Sequence, residues 1–95
     1  MKQDSIETKE KNAQLFRAFL NHNKISTESL HERIAKYVGE QYPENTARDE
    51  HNRVVARHNL RKELSRENMS TKVLKKGLAI CGLTPTMIER TISIR

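Results

Sequence analysis

One cysteine, no tryptophan, and two each of phenylalanine, tyrosine and proline are spread over 95 residues. Each shortage excludes something. A single cysteine, Cys81, cannot form an internal disulfide, so the expected location is reducing and intracellular, the cytoplasm. Aromatic residues make up 4% of the chain and hydrophobic residues 35%. A core this thin fits one small domain over 1–95, excludes a large enzyme with a deep cleft, and makes a homodimer the expected state. No run approaches the ~18 apolar residues of a membrane span, and no charged start with an apolar stretch marks a signal peptide. No membrane role is therefore expected. The three glycines, at 39, 77 and 82, stand apart, so there is no phosphate-cradling loop.

What the chain has is charge, 32% of its residues, with a net +6. The excess is uneven. Residues 69–95 carry Lys72, Lys75, Lys76, Arg90 and Arg95 against Glu89 alone, which places +4 of the +6 there. Such asymmetry suits a polyanion-binding surface, because each neutralised phosphate releases condensed counterions. It equally suits a solvated basic face or a surface for an acidic protein partner.

Apolar periodicity predicts helices throughout. Over roughly 4–21, Ile6, Ala13, Phe16 and Leu20 recur at helical spacing with Phe19 beside them, as core anchors or a partner-docking stripe. Ser26 caps a second helix, with Ile25 stapling onto Leu30; Leu30, Ile34, Tyr37 and Val38 share a face, and Gly39 with residues 41–43 ends it. Segment 45–67 is helical by propensity but inconsistent in pattern. Ala47, His51, Val54, Val55 and His58 share one face, whereas Leu60 and Leu64 point elsewhere. Either that helix touches neighbours on two sides or it breaks near His58 and Asn59. Arg53, Arg57 and Arg61 form a stripe in which Asp49 can pair with Arg53. Ser70 caps a fourth helix, with Met69 stapling onto Leu74, and Gly82 ends it.

The C-terminal segment supports two readings. As a helix, Thr84 is its cap, Pro85 sits in the first turn, and Ile88 and Ile92 face inward four apart. As a strand, residues 90–95 alternate polar and apolar, and they would pair with a second copy or add to a partner's sheet edge. On the strand reading Ile92 and Ile94 are candidate dimer contacts, and Phe16 and Phe19 are the others.

Within 74–92, Gly82-Leu83-Thr84-Pro85-Thr86 followed by Ile88 resembles the helix-turn-helix of small phage- and plasmid-type DNA-binding regulators. One departure is Leu78, which stands where that family usually has a small residue, with Gly77 next to it. The resemblance implies that Thr86, Met87 and Arg90 face the major groove, while Thr84, Lys72, Lys75 and Lys76 hold phosphates. The run 69–83 is also similar to stretches of small phage and plasmid proteins, implying a mobile-element origin. A weaker second match lies around Ile34, Ala35, Val38 and Gly39, but Asn45 and Arg48 stand where a recognition helix should bury apolar side chains.

No catalytic constellation emerges. His31-Glu32 begins like a zinc-protease helix, but Ala35 stands where the second histidine belongs. His51-Asn52 and His58-Asn59 share letters with His-Asn-His nucleases without the strand pair and metal-holding helix those need. The pair also lacks a completing ligand set. Cys81 reads as a buried small hydrophobe. No enzyme activity, metal or cofactor is expected.

The expectation is an all-α domain of four to five short helices, with a C-terminal strand over 90–95 as the open alternative. The expected function is duplex DNA binding by a small homodimeric regulator. The alternative is a non-enzymatic adaptor or inhibitor from a mobile element that dimerises through that strand and meets an acidic protein.

Overall fold

Each helix among the described residues opens on a serine or threonine whose hydroxyl accepts the N–H three residues on. These caps satisfy donors that the first helical turn leaves free, and each contributes about 1 kcal/mol. The computed structural model describes residues 4–43 and 46–95. Among them are five helices: α1 (Ile6–His22), α2 (Thr27–Gln41), α3 (Ala47–Ser65), α4 (Thr71–Ile80) and α5 (Pro85–Ser93). The caps are Ser5, Ser26, Thr46, Ser70 and Thr84 in that order. No strand occurs among the described residues, so the domain is all-α.

The ends of α1 and α4 are closed alike. After α4, Leu83 N–H donates to the Leu78 carbonyl and Gly82 N–H to that of Ala79, with Gly82 at φ +96°. After α1, Ile25 and Lys24 make the same pair of bonds to Leu20 and Asn21, with Lys24 at φ +54°. A left-handed residue there lets the orphan carbonyls be satisfied, and glycine takes that conformation without a Cβ clash.

α4 is the hub and packs against all four other helices. Leu74 and Leu78 are fully enclosed and meet Phe16 and Ala13 of α1, Leu30, Ile34 and Val38 of α2, Leu60 and Leu64 of α3, and Ile88 and Ile92 of α5 in one core. Gly77 marks the closest approach. A Cβ built there would lie 2.8 Å from Leu64 Cδ2 and 2.9 Å from Phe16 Cε1.

Four expectations are corrected. Residues 90–95 do not form a strand, because α5 runs to Ser93 and the inward spacing of Ile88 and Ile92 is helical. Phe16 and Ile92 are buried in the core of a single chain and Phe19 packs against it, so of the four candidate dimer contacts only Ile94 stands free, at 76% exposure. Gly39 lies within α2, which continues to Gln41. Finally, α3 is unbroken, and its outward face is the one read as apolar: His51, Val54, Val55 and His58 are exposed, while Ala56, Leu60 and Leu64 turn inward. In the first half of α3 the inward stripe is polar, and Arg53 donates to the Tyr42 carbonyl. The Asn45 position weighed in the second motif match lies outside the described residues; Arg48 is exposed on α3.

Candidate nucleic-acid interface

The α4–turn–α5 unit begins at Ser70, whose hydroxyl accepts from Val73 N–H at 3.2 Å, and turns at Gly82. The cap of α5 is reciprocal. Thr84 Oγ1 accepts from Met87 N–H at 3.3 Å, and Thr84 N–H donates to Met87 Sδ at 3.4 Å. Ile88 and Ile92 then hold the helix on the core, which leaves Thr86, Glu89, Arg90 and Ser93 exposed on its far side. Met87 is half exposed, with its sulfur turned back onto the cap. Thr84 is exposed too, but its hydroxyl is engaged in the cap.

The basic residues of 69–95 do not act as one group. Lys72 and Lys76, four apart, share the face of α4 that borders a groove against the α3–α4 connection. Lys76 is half-buried and also lines a smaller cleft with Tyr37, Ala56 and Leu60. Lys75 faces α5, and its Nζ lies 3.3 Å from Glu89 Oε1. Both partners are largely solvated, so the pair contributes about 0–1 kcal/mol. Arg95 is spent on the fold, because its guanidinium donates to Asn12 Oδ1 and to Thr71 Oγ1.

The surroundings of Thr71 form a polar knot that hydrophobic periodicity does not reveal. Asn12, fully buried on α1, donates through Nδ2 to the Met69 carbonyl at 2.9 Å and to Thr71 Oγ1 at 3.2 Å. Asp4 Oδ2 accepts from Thr71 N–H at 2.6 Å, and its Oδ1 accepts from the Thr71 hydroxyl at 2.9 Å. Those two bonds, the backbone one first, hold the Asp4 carboxyl below the usual carboxylate range, and Arg95 adds to the effect. Asp4 thus supplies a negative charge at the positive end of the α4 dipole.

Chemistry elsewhere is sparse. Cys81 is buried, which pushes its thiol above its ordinary range although Arg33 opposes the shift; the Arg33 guanidinium donates to the Cys81 carbonyl at 3.4 Å. Among the described residues no group of three or more histidine, cysteine or carboxylate side chains is placed to hold a metal, and no helix is long and apolar enough to cross a membrane. The chain matches no protein-family model, no curated protein and no solved structure.

Proposed function

We propose that this domain is a non-enzymatic DNA-binding regulator of the helix-turn-helix kind. It binds duplex DNA with α5 in the major groove and α4 against the backbone, as a homodimer reading two half-sites about one helical turn apart. The observation that carries this reading is the division of α5. Ile88 and Ile92 fix one side to the core, and Thr86 and Arg90, four apart, stand exposed on the other. A short helix seated in this way presents a polar edge that a groove of about 12 Å can admit. Arg90 would contact base edges, guanine above all, Thr86 and Met87 would lie beside it, and Lys72 would contact phosphate.

Fluorescence anisotropy of a labelled duplex at several salt concentrations tests this. Binding whose log affinity falls steeply with log salt supports the reading. Arg90→Ala is expected to relax base preference, and Lys72→Ala to weaken all sequences alike. A folded sample that ignores duplex DNA at low salt overturns it.

One observation favours a second reading, a protein-interaction module for an acidic partner. Val54 and Val55 stand 51% and 42% exposed on the outer side of α3, beside exposed Arg61 and Lys62. A protein that binds no duplex and loses its partner on Val54→Asp substitution would be this module.

A further inference from the structure

The groove beside α4 gathers cations from parts of the chain that are distant in sequence. Lys9 comes from α1, Arg66 from the α3–α4 connection, and Lys72 and Lys76 from α4. Glu63 and Glu67 share the groove, so four positive charges face two negative ones, a local +2. None of the four cations is in an ion pair with a described residue, whereas Lys75, facing α5, is held by Glu89. Asp4 offsets part of the Lys9 charge and the two glutamates part of the rest, but cations remain in excess along the groove, and a polyanion laid along them is attracted while it releases counterions. Lys72 and Lys76 are one helical turn apart, a rise of about 6 Å, so they can meet different phosphates of one strand. The groove offers little to an acidic peptide helix, since its apolar members are Met69, which is buried, and Val73, which is half-buried.

We propose that this groove carries the phosphodiester backbone of duplex DNA, with Lys9 and Arg66 joining Lys72 and Lys76 as its phosphate contacts. The inference rests on the DNA reading above and adds where the backbone lies. The flank of α4 toward α3 holds it, and Lys75 on the opposite flank stays with Glu89. Neither Lys9 nor Arg66 belongs to the basic run of 69–95.

The test uses the full chain, a labelled 20-base-pair duplex and anisotropy between 50 and 200 mM salt. Four phosphate contacts per protomer, about eight for the homodimer, give log affinity a slope of about −7 against log salt, roughly a ten-thousandfold loss over that range. Lys9→Gln and Arg66→Gln each remove one contact per protomer and should each flatten the slope by about 1.8, as Lys72→Gln should, with helical circular dichroism retained. Lys36→Gln, on α2 outside the groove, should leave it unchanged. If the Lys9 and Arg66 variants keep the full slope while Arg90→Ala still alters base preference, the groove assignment is overturned and the DNA reading stands. If the unaltered protein binds no duplex at 50 mM salt, both fall. If polyglutamate of equal charge displaces the duplex as readily as unlabelled duplex does, and depends on Lys9 and Arg66, the groove selects polyanions generally and the phosphodiester assignment is overturned.

Discussion

Asp4 closes the N-terminal end of α4 from 67 residues away, its carboxylate taking both the N–H and the hydroxyl of Thr71. Asn12 and Arg95 complete the same knot, so the lead into α1 and the residues after α5 are fastened to one turn of the hub helix. The charged form of Asp4 makes these bonds, which is why its carboxyl lies below the ordinary 3.8. The sign for stability follows from linkage. Asp4 adds stability that is fully present above the unfolded value and is lost as pH falls through the lower folded value. Asp4→Asn is therefore expected to lower the thermal midpoint at pH 7, with the gap from the unaltered protein closing below about pH 3.8. Paired melts at pH 7, 4 and 2.5 check this. A gap that stays constant across the series would show that the charge is irrelevant.

Gly77→Ala sets two known effects against each other. Alanine improves helix propensity by about 1 kcal/mol. Its Cβ would stand 2.8 Å from Leu64 and 2.9 Å from the enclosed Phe16 ring, and overpacking of this kind costs about 1–3 kcal/mol. The Leu64 methyl is the flexible end of its side chain, whereas the Phe16 ring is rigid and fully buried. A net loss of about 1 kcal/mol is expected in urea unfolding, and a gain would mean that α1 and α4 can separate freely.

Substitutions along α3 should divide by face. Leu60→Ala removes a buried side chain and is expected to cost about 2–5 kcal/mol. Val54→Thr and Val55→Thr, at exposed positions, should change stability by less than about 0.5 kcal/mol. Thermal melts of the three variants separate the two faces, and a large loss at Val54 would mean that the helix is turned the other way.

Glu89 sits on the outer side of α5 beside the residues proposed to meet DNA, and it holds Lys75. Glu89→Gln removes a charge that repels phosphate and frees Lys75 to make one more contact. Duplex affinity is expected to rise several-fold and the salt slope to steepen by about 1.8, one contact for each protomer of the dimer. Anisotropy titrations check both, and weaker binding of the variant would point instead to Glu89 accepting from a cytosine amine.

Short-range features of this fold are legible in its sequence. Ser26, Ser70 and Thr84 each stand just before an apolar-periodic run, and Gly82 stands just after one, so capping chemistry locates those helix ends. The inward face of α3 is not legible, because its first half is satisfied by hydrogen bonding, Arg53 to the Tyr42 carbonyl, and apolar periodicity detects only burial of carbon. Asn12 escapes for the same reason, as a polar residue on the core side of α1 whose partners lie 57 and more residues away. The residues of the proposed reading helix could be named from local pattern. The groove that joins Lys9 and Arg66 to α4 could not, since only the folded chain brings α1 and the α3–α4 connection together.

The most direct test of DNA binding through α4 and α5 is a backbone amide NMR titration of the full chain with a duplex at low salt. Amide shifts concentrated at Thr84, Thr86 and Arg90 of α5 and around Lys72 of α4, with α3 unmoved at Val54 and Val55, are the expected result. No shifts at α5 in a folded sample, or shifts confined to the outer face of α3, would contradict it.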